Sequence, residues 1–242
     1  MRTVLFFIVV SSLASAAPAG TRLFDSPEQR AQLVHEKFLQ EHPSSIPAHL
    51  AYAEFLSDNG NLRAAMVHWR TAQQLEPGNA ATANSLGGAY LRMGRAAEAA
   101  DQFSRAIRLG GENAAYHFNL ANVEFMLRHD LTAAWQIPMP DLLRHALAEF
   151  REASRLSPND LEYARAYAET FYGVPDADWS EAAAAWKHVL SLSEQGDFAY
   201  LQLARVSLKR GDATEARRFL DKIIDTRHDA LKRKLGQEAD RL

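Results

Sequence analysis

Apolar side chains recur along this chain at helical spacing, and blocks of them repeat at a fixed distance. Trp69 and Phe103 lie 34 residues apart, and Ala65 keeps the same step to Ala99. A small residue followed one turn later by a large ring predicts helices that pack closely through one face. Because a unit of this size contains two helices and cannot bury its apolar face alone, the period predicts a stack of helical hairpins.

The period defines two complete hairpins, residues 46–79 and 80–113. Gly60 and Gly94 fall at the same place in each, where glycine indicates the turn between the two helices. Pro77 follows the second helix of the first hairpin and predicts its end. The chain therefore begins its regular region with two hairpins of equal length.

The second helix of the first unit carries the pattern alanine, aromatic, alanine, proline at Ala65, Trp69, Ala72 and Pro77, and this pattern resembles the tetratricopeptide repeat family. The resemblance implies an all-α, right-handed superhelical solenoid of about five helical hairpins, closed by N- and C-terminal capping helices. It also implies protein or peptide partners. Beyond the two hairpins above, the predicted segments are an N-terminal segment and capping helix at 17–45, a third repeat at 114–160, a fourth at 161–196, a fifth at 197–230, and a C-terminal capping helix at 231–242.

The third repeat interrupts the period. Its aromatic residue is expected at position 137, 34 residues after Phe103, but Phe150 occupies that place 13 residues later. The difference predicts an insertion between the two helices at 131–141, and the two prolines in this segment favour an extended path. Two interpretations of the insertion stay open: it packs over an adjacent helix end as a local lid, or it presents Trp135 to a partner.

The N-terminus has the three parts of a secretory signal. Arg2 precedes an apolar run at 4–10, and Ala14-Ser15-Ala16 supplies the small residues of a cleavage site. The apolar run is shorter than the roughly 20 residues that span a membrane, which favours a cleaved signal at 1–16 over a retained anchor. The sequence therefore predicts an exported protein, periplasmic or secreted, with no direct membrane insertion after cleavage.

Composition narrows the partner class further. The chain has no cysteine, which excludes disulfides and thiol-linked lipids. Loss of the signal, which holds Arg2 and no acid, changes the formal net charge from −3 to −4. This weak acidic balance argues against nucleic acid and anionic lipid as partners. The basic stretch at 227–234 is predicted to form a solvent-exposed helix face and not a binding patch.

Sequence motifs for catalysis are missing. The chain has no nucleophile elbow, phosphate-binding loop or paired zinc-binding histidines. His145 and Glu149 lie one helical turn apart, but a surface pair is the better interpretation than a metal site. The sequence predicts a protein that is not an enzyme and binds no cofactor or metal.

The candidate partner-binding residues are those on each first helix that point away from the packing positions, because stacked hairpins line a concave groove with their first helices. They are Asn84, Gly88, Leu91 and Arg92 in the second repeat, Phe118, Asn122, Phe125 and Met126 in the third, Glu162, Arg165, Glu169 and Tyr172 in the fourth, and Phe198, Leu201, Arg205 and Lys209 in the fifth, with Trp135 of the insertion beside them. Phe118 and Phe125 have an alternative as packing residues, since an aromatic stripe on a helix is commonly core.

Taken together, these patterns predict a non-catalytic binding scaffold or assembly adaptor that holds a peptide or a partner helix in the groove. Two alternatives stay open, a self-associating structural protein and an accessory subunit of an envelope enzyme complex.

Some members of the tetratricopeptide repeat family bind a partner's C-terminal carboxylate with lysine, arginine and asparagine side chains. Of the corresponding positions here only Asn119 suits that role, so this activity is not inferred.

Overall fold

The computed structural model describes residues 26–194 and 196–242, and this part of the chain is helical. It contains thirteen α-helices, one short 3-10 helix and no strand. The predicted all-α solenoid of helical hairpins is therefore confirmed. The predicted signal at 1–16 lies outside the described residues, as does the first part of the segment predicted at 17–45.

The helices are named in chain order. They are α1 (Pro27–Glu41), α2 (Ile46–Asp58), α3 (Leu62–Leu75), α4 (Ala80–Arg92), α5 (Ala96–Gly110), α6 (Ala114–Met126), α7 (Arg128–Trp135), α8 (Met139–Leu156), α9 (Leu161–Thr170), α10 (Trp179–Leu192), α11 (Asp197–Lys209), α12 (Ala213–Leu220) and α13 (Asp229–Ala239), with the 3-10 helix at Thr226–His228. The hairpins are α2 with α3, α4 with α5, α6 with α8, α9 with α10, and α11 with α12.

The turns explain why these helices begin and end where they do. Ser26 and Gln29 form a reciprocal capping box at the start of α1, with the Ser26 amide donating to Gln29 Oε1 at 3.0 Å. Gly60, Gly94 and Gly211 have φ angles of 78°, 70° and 76°, a left-handed conformation that glycine adopts without strain. These three glycines end the first helix of three hairpins.

Each second helix buries a small residue and, one turn later, a large apolar one. The small residues are 0% exposed, and the large ones 4% or less. The pairs are Ala65 with Trp69, Ala99 with Phe103, Ala146 with Phe150, Ala182 with Trp186, and Ala216 with Leu220. The alanines let the two helices of a hairpin approach, and the large side chains fill the adjoining space, so this row forms the core of the solenoid.

The insertion differs from the extended path that its prolines predicted. Residues 131–135 belong to helix α7, and the fully buried Leu131 anchors that helix in the cluster that contains Phe103. Pro138 is the N-cap residue of α8 and Pro140 lies in its first turn, where a missing amide hydrogen costs nothing. The prolines thus start a helix here, and only a short turn through 136–138 separates α7 from α8.

The two terminal helices close the solenoid to different degrees. Helix α13 buries Leu235 and Ala239 against α11 and α12. Helix α1 packs on α2 but has no fully buried residue, and Leu33, Val34 and Phe38 remain 48% to 59% exposed. Among the residues that the structure describes, the C-terminal end is therefore covered more completely than the N-terminal end.

Candidate partner-binding groove

The first helices α2, α4, α6, α9 and α11 supply the residues of one continuous surface, which we call the first-helix groove. In its N-terminal half, Asn119 donates to Asn84 Oδ1 at 2.8 Å, and Arg92 donates to Ser57 Oγ. Both hydrogen bonds join side chains of successive first helices. The predicted residues Asn84 and Arg92 therefore also stabilise the alignment of neighbouring repeats, whereas Leu91 is 40% exposed.

A pocket of about 280 Å³ opens between these residues. Gly88 is one of its lining residues, and a Cβ placed there would meet nothing within 4 Å. Glu54 lines the pocket, and burial raises the pKa of its carboxyl above the ordinary value. This half of the groove therefore offers amide, hydroxyl and carboxyl groups around open space.

Phe118 serves both roles that the sequence left open. Its ring centroid lies 4.5 Å from that of Tyr163 and 5.7 Å from that of Phe150, so the ring packs between repeats. The same residue lines an open pocket together with Asn122 and Glu169. Phe118 is thus a half-buried wall of the groove.

Phe125 lies closer to the packed interior than to the open groove. It packs against the large core cluster of the fourth repeat, and a Cβ built on Gly173 would lie only 2.9 Å from its Cε2 atom. The absence of a side chain at Gly173 is what admits the ring. Its neighbour Met126 is 68% exposed and offers the more accessible apolar surface.

The predicted residues of the fourth repeat contact one another and the fifth repeat. The Arg165 guanidinium donates to Glu169 at 2.7 Å and lies 4.8 Å from the Phe198 ring centroid. The Tyr172 hydroxyl donates to the Gln202 carbonyl at 3.3 Å, and burial raises its pKa to about 12. Arg165 and Glu169 remain exposed, whereas Tyr172 is half-buried.

Leu201 does not face the groove, contrary to the sequence prediction. It is 1% exposed and lies in a cluster with Leu235 and Ala239 of α13. The C-terminal capping helix folds back on α11 and covers it. A position that is open in the inner repeats is therefore closed at the end of the solenoid.

Trp135 is half-buried against the cluster formed by α5, α6 and α8. We expect Trp135→Ala to lower the free energy of unfolding by about 2 kcal/mol, because a large ring is lost from a partly covered site. Urea unfolding measures this change, and Ile137→Ala, at an exposed position, should cost less than about 0.5 kcal/mol. Unchanged stability with lost partner binding would instead make Trp135 a contact residue.

A polar network between α6 and α8 was not predicted. His117 Nδ1 lies 2.6 Å from Glu149 Oε2, and His145 Nδ1 lies 2.8 Å from Glu124 Oε2. Glu124 is only 3% exposed and occupies a position where the first two repeats have Leu56 and Tyr90, which was the one sequence signal for its burial. The sequence could not identify His145 as the partner of Glu124, because the insertion hides which residues of α8 lie opposite α6.

The network does not amount to a metal centre. Glu149 Oε1 lies 3.6 Å from His145 Nε2, and the second His117 nitrogen contacts the Gly111 carbonyl at 2.8 Å. Within residues 26–194 and 196–242, no group of three or more His, Asp or Glu side chains is arranged to hold a metal ion. The network instead ties the two helices of the third repeat across the insertion.

We expect this network to make stability depend on pH. The hydrogen bond with Glu124 raises the pKa of His145 above its ordinary 6.5, so its contribution is full below pH 6.5 and is lost as the pH rises through the folded-state value. Since His145 is 54% exposed, solvent screening limits the effect to less than about 1 kcal/mol. Urea unfolding between about pH 6 and 8 measures the slope. The variant His145→Gln should flatten this slope, and an equal slope in both proteins would contradict the prediction.

None of the helices in the described part of the chain has the length and apolar character needed to cross a membrane. No protein-family model matches the chain. The comparison with curated proteins likewise found no match.

Solved structures share the fold at low sequence identity. YrrB, described as a TPR protein with an unusual peptide-binding site, is 22% identical with a TM-score of 0.65, over 86% of this chain and 98% of its own. PilF of Pseudomonas aeruginosa is 21% identical with a TM-score of 0.59, over 88% and 89%. PilW, a type IV pilus biogenesis factor, is 18% identical with a TM-score of 0.54, over 81% and 84%.

Proposed function

Because this chain has the tetratricopeptide-repeat fold, we propose that it is a non-catalytic protein-binding scaffold whose first-helix groove holds a peptide or a partner helix. The observation that carries the proposal is the exposure of apolar side chains on the first helices, with Leu91 at 40% and Met126 at 68%. Such side chains supply contact area, and the neighbouring Asn122 amide supplies hydrogen-bonding groups. The peptide-binding site named for YrrB supports the same mode for this fold.

The site of action that we propose is an exported compartment, where the chain works as an adaptor or assembly factor. The signal pattern at 1–16 supports export. PilW, which shares the fold, is a pilus biogenesis factor. The chain would then bring protein partners together without altering them.

Self-association is the second candidate, and the exposed face of α1 favours it. Leu33, Val34 and Phe38 form an apolar stripe that stays 48% to 59% exposed in the described part of the chain. Light scattering on the protein without its signal tests this candidate. A mass that stays monomeric at every concentration would exclude it.

Affinity capture from the exported fraction tests the groove. The variant Leu91→Ser with Met126→Ser removes exposed apolar contacts without touching the core, and we expect partner recovery to fall about tenfold, the loss that about 1.4 kcal/mol of binding energy produces. The matched control is Val67→Ser with Leu109→Ser, two exposed apolar residues on second helices. Equal recovery with both variants would refute binding in the groove.

A further inference from the structure

We propose that the C-terminal end of the groove binds an acidic segment of the protein partner. This inference rests on the proposed function and names the chemistry of its ligand. The surface, which we call the cation–aromatic patch, consists of three cations that each lie over an aromatic ring. The pairs are Arg128 with Phe125, Arg205 with Tyr172, and Lys209 with Trp179.

The three pairs are close enough to act as one surface. The Tyr172 and Trp179 ring centroids are 5.7 Å apart, and Phe125 packs on Gly173, the residue after Tyr172. Arg205 lies 4.4 Å from the Tyr172 ring centroid, and Lys209 lies 5.8 Å from that of Trp179. The patch therefore lies where α6, α9 and α11 end and where α7 and α10 begin, along the edge of the groove in the third to fifth repeats.

These cations have no acidic partner in the described part of the chain. Arg205 Nη1 donates to the amide oxygen of Gln202 at 3.0 Å, and Arg128 Nη1 donates to the Phe125 carbonyl at 2.8 Å. By contrast, Arg165 and Glu169 on the same surface are already paired with each other. Most guanidinium N–H groups of the two arginines, and the Lys209 ammonium, are thus left for a ligand.

The aromatic rings hold the cations in place before a ligand arrives. A cation over a ring is attracted by the ring quadrupole, which restricts a side chain that would otherwise sample many rotamers. Ordering such a side chain on binding costs conformational entropy, and the rings reduce that cost here. Lys209 is exposed and the two arginines are half-buried, so a ligand can reach all three.

Charge complementarity selects an acidic segment as the occupant. Carboxylates form charge-assisted hydrogen bonds with guanidinium and ammonium groups, and two guanidiniums favour bidentate pairing. The chain as a whole carries a formal net charge of −3, so no broad positive field attracts a polyanion, and the attraction is confined to this patch. A protein segment with glutamate or aspartate beside apolar residues matches the cations and the exposed Met126 next to them.

Fluorescence anisotropy with two labelled probes tests the proposal: a short peptide that alternates glutamate with leucine, and its counterpart with lysine. We expect the glutamate peptide to bind more tightly than the lysine peptide. The double variant Arg205→Gln with Lys209→Gln should weaken glutamate-peptide binding about tenfold, since the loss of each charge pair is expected to weaken binding about threefold. The matched control, Arg218→Gln with Arg233→Gln, removes the same charge from exposed residues of α12 and α13 and should change the affinity less than twofold.

The single variant Lys209→Gln shows whether lost binding reflects lost folding, because the Lys209 side chain is exposed and its replacement should not affect stability. It should weaken binding of the glutamate peptide about threefold and leave the thermal unfolding temperature unchanged. Equal affinity of the two peptides, or equal loss in the patch and control variants, would overturn the proposal. In either case, the proposed function of the groove would still be supported if the variant Leu91→Ser with Met126→Ser captured fewer exported partners than the unchanged protein. Intact capture by that variant would refute the groove function itself.

Discussion

Trp186→Ala is expected to lower the free energy of unfolding by about 4 kcal/mol, the range observed when a buried tryptophan is truncated. Trp186 of α10 is 0% exposed and packs between α9 and α11 in the largest hydrophobic cluster of the described residues. Its ring centroid is 5.8 Å from that of Phe198, in an edge-to-face arrangement. The expected cost comes from the lost packing of this ring and from the cavity that its removal leaves.

Urea unfolding followed by circular dichroism measures this loss. Because each repeat of a solenoid contacts only its neighbours, we expect α11 to α13 to lose protection from hydrogen exchange before the N-terminal repeats do. Val67→Ala, at a site that is 61% exposed, provides the control and should change stability by less than about 0.5 kcal/mol. A loss below about 1 kcal/mol for Trp186→Ala would mean that this ring is not a core residue.

The repeat architecture could be predicted from sequence because its determinants are local and recur. Gly60 and Gly94 mark turns that need positive φ, and the alanine before each large ring marks the close approach of two helices. Agreement between several residue types at one period makes such a pattern specific. The fold class, now confirmed, rests on that agreement.

The insertion and the groove were harder to predict because their structure depends on contacts between distant residues. The prolines at 138 and 140 favour an extended path when read alone, yet they start α8 once Leu131 anchors α7 against α5 and α6. Arg205 of α11 lies over Tyr172, which follows α9, only because α9 and α11 both pack against α10. Nothing in the spacing of those two residues indicates that contact.

The second large effect concerns two adjacent glycines of α4. A Cβ on Gly87 would lie 2.6 Å from Phe103 Cε1, with two further ring atoms within 3.0 Å. Phe103 is 3% exposed, so its ring has little space into which to move. Gly87→Ala should therefore cost about 2 kcal/mol through overpacking. Gly88→Ala meets nothing within 4 Å and should gain up to about 1 kcal/mol from helix propensity.

The two alanine variants are expected to differ by about 3 kcal/mol in the free energy of unfolding, although they change neighbouring residues of one helix. A double-mutant cycle with Phe103→Leu identifies the cause. Since the smaller side chain relieves the overlap, Gly87→Ala should cost less in the Phe103→Leu background, with a coupling of at least about 1 kcal/mol. The coupling for Gly88→Ala should be near zero. Additive effects for Gly87 and Phe103 would show that the loss at Gly87 comes from somewhere other than this ring.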